Sequence, residues 1–207
     1  MATPKLIVLD DFHPNPDTIR RDALSRDFPI TGGFPGKNTV NVDAKSWLKR
    51  LSELLHMPLR PKAGHRDIAL FRQSEAGSKG RSDIHFDRTD WAGVCYLTKK
   101  PGPEGGTAFF QHIESGLSHF PNAQERMDLI NRGLVGAEGP EDTWAFHRYF
   151  ANDGWDRTKW VQTHRVPYQY NRAAFYDASQ FHTIDGLEPF TEDIGPRLVQ
   201  VFFFDVG

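Results

Sequence analysis

The sequence has little of three things: cysteine, long hydrophobic runs and net charge. Cys95 is the one cysteine in 207 residues, so no internal disulfide can form, which suits a reducing cytoplasm. No run of about 18 apolar residues is present, and residues 1–5 lack a signal-peptide core. The balance of 25 basic and 27 acidic residues argues against nucleic-acid binding. We therefore expect a soluble, cytoplasmic protein without a nucleic-acid or membrane partner.

Aromatic residues are plentiful instead. The chain has 16 Phe, 5 Trp and 5 Tyr, so a large apolar core is feasible although hydrophobic residues make up only 38% of the sequence. The length predicts one domain, residues 1–207. Within it we expect an N-terminal part of helices and loop at 1–66, followed by a core at 67–207. Residues 114–165 are expected to be an irregular insert, either an aromatic mini-core under a loop or a lid over a site.

Helical patterns come first and strand patterns follow. Trp47, Leu48, Leu51 and Leu55 recur at helical spacing after Asp43, and a second helix is predicted near residue 20. Strand-like runs lie at 68–73, 84–86, 91–98, 107–111, 172–176 and 197–205. This order predicts a mainly β fold with some α, a barrel or jelly roll with N-terminal flanking helices packed outside.

A His-x-Asp motif near the middle of the chain is the first candidate for chemistry. His85 and Asp87 are two residues apart, so in a strand both side chains would point to the same face. A second histidine, His182, follows an aromatic strand far downstream. Two histidines and one carboxylate can hold one face of a divalent metal and leave the other face open, as in non-haem Fe(II) oxygenases.

Arg197 is the second candidate. It opens the last predicted strand and shares a face with Val199, Val201 and Phe203, an apolar setting for a guanidinium. An inward-facing charge needs a partner, because an unpaired buried charge costs several kcal/mol. A carboxylate ligand held by two parallel hydrogen bonds would provide that partner.

These residues, in this order, resemble the Fe(II)/2-oxoglutarate-dependent oxygenase superfamily, and most closely its prolyl-4-hydroxylase-like branch. The resemblance covers residues 67–112 and 172–205 well and the first 66 residues loosely. Besides the motifs above, it rests on three segments: residues 94–97 (VCYL), residues 105–110 (GGTAFF), and the opening residues 9–12 (LDDF) followed by Pro16 and Arg20. It implies a double-stranded β-helix, that is, a jelly-roll core.

The resemblance also implies roles for individual residues. His85, Asp87 and His182 would be the iron ligands, and Arg197 would bind the distal carboxylate of 2-oxoglutarate. Some branches have Ser or Thr two positions after the arginine, where this sequence has Val199. Tyr96 or Thr107 would then supply the second contact to that carboxylate.

The activity implied is that of a dioxygenase, with Fe(II) and 2-oxoglutarate as cofactors and O2 as co-substrate. Because Asp87 is present, hydroxylation is favoured over halogenation, which needs that position for chloride. The substrate class stays open between an amino acid, a peptidyl side chain and another small molecule, and a homodimer is compatible with the sequence. The alternatives are a cupin-like metal- or sugar-binding module without redox activity, and a zinc hydrolase with a His2Asp site. Neither of them requires an inward-facing arginine.

Overall fold

Two antiparallel sheets form the centre of the computed structural model, which describes residues 6–40, 43–61, 68–99 and 102–207. The predicted boundary at 66/67 therefore lies outside the described residues. The strands are β1 (Leu6–Leu9), β2 (Lys37–Asn38), β3 (Leu59–Arg60), β4 (Ala69–Ser74), β5 (Trp91–Tyr96), β6 (Thr107–His112), β7 (Trp160–Val166), β8 (Ala173–Asp177), β9 (His182–Ile184) and β10 (Arg197–Val206). The helices are α1 (Pro16–Leu24), α2 (Ala44–Leu55), α3 (Ala123–Asn131) and α4 (Thr143–Asp153).

The larger sheet has the strand order β1-β8-β5-β10-β4-β2, with β3 paired to the far end of β10. The smaller sheet has the order β7-β6-β9. All of these pairings are antiparallel. The fold is thus mostly β with some helices, as the sequence predicts.

The inner faces of the two sheets pack on each other. Leu70, Val94 and Val199 of the larger sheet share one buried apolar cluster with Phe109 and Val166 of the smaller sheet. Strand β5 is buried along its whole length, which explains its continuous apolar sequence. The site described below lies between these two inner faces.

Helices cover the outer faces of both sheets. Leu51 of α2 packs with Phe71 and Phe202 on the outer face of the larger sheet. The N-terminus of α2 is fixed by Asp43, whose carboxylate accepts a hydrogen bond from the backbone N–H of Ser46. Within the described residues, no helix has the length and apolar character needed to cross a membrane.

The segment 114–165 is not irregular, and that expectation is corrected. It contains α3, α4 and most of β7. Phe146 and Phe150 of α4 pack with Phe110 on the outer face of the smaller sheet. The exposed charges between these aromatics mask the helical period in the sequence, but Asp142 caps α4 by accepting from the N–H of Ala145.

The predicted strand at 84–86 is also corrected. This segment makes one isolated bridge, between His85 and His182, rather than a ladder. The N–H of Ile84 is instead bonded to the carbonyl of Gly154, at 2.9 Å. The loop therefore lies against β9 at a single residue, which is the histidine of the motif.

Candidate metal centre

His85, Asp87 and His182 meet in space although 97 positions separate the two histidines. One potential ligand atom from each lies within 4.8 Å of the other two. The imidazole centroids are 4.6 Å apart, and Nε2 of His182 is 3.4 Å from Oδ2 of Asp87. The arrangement joins two nitrogen donors and one carboxylate oxygen around one point.

Backbone hydrogen bonds fix the three residues relative to one another. The N–H of His85 donates to the carbonyl of His182 at 3.0 Å, and the N–H of His182 donates back at 2.8 Å. The N–H of Asp87 donates to the carbonyl of Ala178 at 2.8 Å. The metal motif is thus tied at both of its ends to the segment that carries the distal histidine.

A second set of contacts sets the orientation of each imidazole. Nδ1 of His85 lies 2.9 Å from the carbonyl oxygen of Asp83, and Nδ1 of His182 lies 2.8 Å from the carbonyl oxygen of Gln180. A carbonyl oxygen can only accept, so Nδ1 carries the proton in both rings. Nε2 is left with its lone pair facing the other donors, which is the arrangement seen in histidines that bind metals.

The electrostatics match this role. Burial, and next the charge of His182, lower the pKa of His85. Burial alone would raise the pKa of Asp87, but the neighbouring His182 and His85 outweigh it and lower that pKa. A neutral imidazole and an ionised carboxylate are the forms that bind a cation. The donor set present here fits a divalent ion such as Fe(II) held on one face.

Arg197 lines the same cavity as these three residues. Its side chain is 3% exposed, and Nε donates to the carbonyl of Gly105 at 2.8 Å. Within the described part of the chain, no carboxylate lies within ion-pair distance of its guanidinium. Burial lowers its pKa from the ordinary arginine value. A buried guanidinium facing a cavity without an anionic partner is an expected binding point for an anion.

Tyr96 and Thr107, the two residues considered for the second carboxylate contact, are bonded to each other. The Tyr96 hydroxyl is 2.9 Å from Oγ1 of Thr107. Tyr96 is fully buried and stacks on Tyr168, whereas Thr107 lines the cavity. Val199 pairs with Tyr96 across the sheet and is also fully buried. Thr107 is therefore the one of the two placed to touch a ligand, with Tyr96 behind it.

The cavity has a volume of about 550 Å³, within the usual range for small-molecule sites. Among the charged residues that line it and that sequence reasoning missed is Arg72 on β4. The sequence contained the signal, because Arg72 lies two positions after the inward-facing Leu70 and so shares its face, just as Arg197 shares a face with Val199.

His112, Glu114 and Asp153 form a second group with metal-binding residue types. Nε2 of His112 is 2.9 Å from Oδ2 of Asp153, and Nδ1 is 3.1 Å from Oγ of Ser115. Both nitrogens of this fully buried ring therefore already have partners within the chain. This group is best explained as a structural link between β6 and the end of α4.

Comparison with solved structures places the fold. The non-haem α-ketoglutarate-dependent carbocyclase SnoK from nogalamycin biosynthesis matches with a TM-score of 0.55 at 12% identity, over 98% of this chain and 79% of that one. HygX from Streptomyces hygroscopicus, with nickel and 2-oxoglutarate bound, matches at 16% identity over 98% of this chain and 83% of that one. Its TM-score is 0.46.

The likeness to SnoK shows a shared fold. The chain is therefore a mostly β protein that shares its fold with SnoK and has a candidate His-Asp-His metal centre. It belongs to the family of unknown function DUF6445, whose family model matches residues 2–194. No curated protein matches the sequence.

Proposed function

We propose that this protein is an Fe(II)- and 2-oxoglutarate-dependent dioxygenase that hydroxylates a small-molecule, amino-acid or peptidyl substrate. One observation carries the proposal: a metal-binding triad and a buried arginine without a carboxylate partner among the described residues line the same cavity. A metal site alone would suit many activities. The arginine adds a place for an anion beside the metal.

Each residue then has a role. His85, Asp87 and His182 hold the iron, with both Nε2 atoms fixed by the Nδ1 contacts described above. Arg197 binds the distal carboxylate of 2-oxoglutarate while the Gly105 carbonyl holds its Nε. Thr107 donates a hydrogen bond from its hydroxyl to that carboxylate, and its oxygen can accept from the Tyr96 hydroxyl behind it.

When bound, iron and 2-oxoglutarate supply O2 activation, with succinate and CO2 as products and oxidation of a substrate C–H bond as the outcome. The chain contributes the three facial donors and a cavity of about 550 Å³ beside them. Asp87 occupies the third protein position, so the donor set favours hydroxylation over halogenation.

Three finer assignments belong to the same proposal. We infer that the two facing sheets form a double-stranded β-helix and that the protein belongs to the prolyl-4-hydroxylase-like branch, which the segments 94–97, 105–110 and 9–12 support. A cytoplasmic location agrees with the single cysteine, Cys95, which is fully buried with a pKa raised by burial.

The alternatives account for less of the site. A cupin-like binding module and a His2Asp zinc hydrolase would both use the triad, but neither needs Arg197. In either case the guanidinium would stay buried in the cavity wall without an anion, which is costly. The oxygenase accounts for the triad and the arginine together.

The experiment combines metal stoichiometry with turnover. The wild-type protein should bind one Fe(II) per chain under anaerobic conditions, and after admission of O2 it should convert 2-oxoglutarate slowly to succinate even without substrate. His182→Ala should lose both properties. Glu114→Gln, in the second acidic group, is the matched control and should retain both. Iron binding without any succinate would contradict the proposal, and so would metal lost in the Glu114 variant but kept in the His182 variant.

A further inference from the structure

The carboxylate of Asp83, two positions before His85, is bonded to two distant parts of the chain. Oδ1 accepts a hydrogen bond from the hydroxyl of Thr183 at 2.8 Å, and Oδ2 accepts from Nε of Arg157 at 2.6 Å. Thr183 follows His182 directly in β9, and Arg157 lies between α4 and β7. Asp83 thus joins the loop of the first histidine to the strand of the second.

These bonds complete a closed ring of contacts beside the metal centre. The carbonyl of Asp83 accepts from Nδ1 of His85 at 2.9 Å. The backbones of His85 and His182 exchange two hydrogen bonds, at 3.0 and 2.8 Å. From His182 the chain leads to Thr183, whose hydroxyl returns to the Asp83 carboxylate. A shift of the Asp83 side chain would therefore move the carbonyl that sets the orientation of the His85 ring.

The segment after α4 holds the same loop at further points. The carbonyl of Gly154 accepts from the N–H of Ile84 at 2.9 Å, and Nε1 of Trp155 donates to the carbonyl of Arg81 at 3.1 Å. A Cβ at Gly154 would lie 2.8 Å from the carbonyl oxygen of Ile84, so the two segments approach as closely as glycine allows. The loop before His85 is therefore fixed by a second segment as well as by β9.

The ion pair between Asp83 and Arg157 should matter more for position than for stability. The Arg157 side chain is half exposed, and such pairs contribute little to the free energy of unfolding. Residues that orient metal-binding histidines behave differently, because their replacement typically lowers metal affinity by about ten- to a hundred-fold. An effect on metal binding that exceeds the effect on folding is therefore the expected signature.

We propose that Asp83 is a positioning residue of the metal centre. Held by Thr183 and Arg157, its carboxylate fixes the loop that carries His85 against β9 and so sets the affinity for the metal. Asp83 does not belong to the three grouped donors, and it acts through His85. This inference rests on the metal centre of the proposed function.

The test measures metal binding under anaerobic conditions, with Fe(II) for affinity and Co(II) as a spectroscopic probe. Asp83→Ala should weaken Fe(II) binding by about ten-fold or more. Asp83→Asn should recover part of that loss, because its amide oxygen can still accept from Thr183. At saturating Co(II) the visible ligand-field bands of Asp83→Ala should differ from those of the wild type. A contribution to stability alone would not change the spectrum of the saturated protein.

Asp185→Ala is the matched control. Oδ2 of Asp185 pairs with Nη1 of Arg165 at 3.1 Å, and the carboxylates of the two ion pairs are equally exposed, at 22%. Asp185 also lies near the distal histidine in the sequence, but its side chain does not bond to the loop at 81–84. This variant should keep the wild-type Fe(II) affinity and the wild-type Co(II) spectrum.

Two further variants cover the case in which Asp83→Ala does not fold, as judged by circular dichroism. Thr183→Val and Arg157→Gln each remove one of the two bonds to the carboxylate, and each should weaken Fe(II) binding several-fold. The proposal is overturned if folded Asp83→Ala, or both of these variants, bind Fe(II) like the wild type. An unchanged Co(II) spectrum in Asp83→Ala, no recovery in Asp83→Asn, or an equal loss in Asp185→Ala would overturn it too.

Failure of the proposed function gives a different result. The titrations need neither 2-oxoglutarate nor O2, so a wild type that binds Fe(II) but forms no succinate would overturn the proposed function alone. The order of affinities among the Asp83 and Asp185 variants would then still decide the role of Asp83. A wild type that binds neither Fe(II) nor Co(II) would overturn both.

Discussion

Replacing Arg197 with methionine should separate ligand binding from folding. The guanidinium is 3% exposed and has no carboxylate partner among the described residues, so in the free protein its burial is opposed by desolvation. Methionine fills similar space without charge. Two hydrogen bonds are lost: the 2.8 Å bond from Nε to the Gly105 carbonyl and a weaker 3.5 Å bond from Nη2 to the Gly106 carbonyl. Each is worth about 1 kcal/mol or less, so the free energy of unfolding of the ligand-free variant should fall by about 1–2 kcal/mol at most.

The effect on 2-oxoglutarate should be much larger. Removing one partner of a buried, hydrogen-bonded charge pair costs about 2–5 kcal/mol, so the Kd for 2-oxoglutarate should rise by about thirty-fold or more. Fe(II) affinity should change little, because Arg197 is not one of the three grouped donors.

Anaerobic calorimetry with Fe(II) and then 2-oxoglutarate measures both affinities, and urea unfolding gives the stability. A variant that loses several kcal/mol of stability but binds 2-oxoglutarate normally would show that Arg197 does not bind the co-substrate. Arg197 would then be a structural brace between β10 and the Gly105 turn.

Three further predictions concern other parts of the site and the fold. Thr107→Val should weaken 2-oxoglutarate binding several-fold and destabilise the protein by about 1–3 kcal/mol, because the buried Tyr96 hydroxyl loses its partner. Adding Tyr96→Phe should restore much of the stability but not the affinity. Stability losses that simply add in the double variant would contradict this. Gly105→Ala should lower both the unfolding midpoint and the affinity for 2-oxoglutarate, because Gly105 has a φ of +82° and a Cβ there would lie 2.4 Å from the Phe190 ring. Wild-type values for both quantities would show that this turn does not position Arg197. Burial, and next the charge of Arg50, lower the pKa of His13 from 6.5 to about 4. As the pH falls, His13 therefore binds a proton in the unfolded chain before it does so in the folded protein, and up to roughly 3 kcal/mol of stability should be lost between pH 6.5 and 4. Urea unfolding of His13→Gln should show a smaller loss over that pH range. Equal losses in the two proteins would contradict the assignment to His13.

The sequence was most informative where a strand is continuously apolar. Strands β4, β5 and β10 are largely buried on both faces, so their apolar runs could be recognised. The positions of His85 and Asp87 followed from the spacing of the motif even though the segment is not a strand. Arg197 was found because a charge on an inward face needs an explanation.

The remaining features depend on tertiary contacts that local patterns do not contain. Strand β9 has only three residues, and β7 has five consecutive exposed residues, so neither has an apolar period. The position of Tyr96 behind Thr107 depends on how the two sheets pack on each other. Arg72 was missed for a different reason. Its spacing of two residues from Leu70 is visible in the sequence and already predicts a side chain on the inner face.

An absorption measurement on the anaerobic protein tests directly whether this metal centre accepts 2-oxoglutarate. Fe(II) is added first and 2-oxoglutarate second, and the visible metal-to-ligand charge-transfer band of a chelated keto acid is monitored. Because the triad offers only three protein donors on one face, the account predicts that the band appears in the wild type and is absent in His182→Ala. Iron binding without a band in the wild type would contradict the account, because it would mean that the open face of the metal does not accept 2-oxoglutarate.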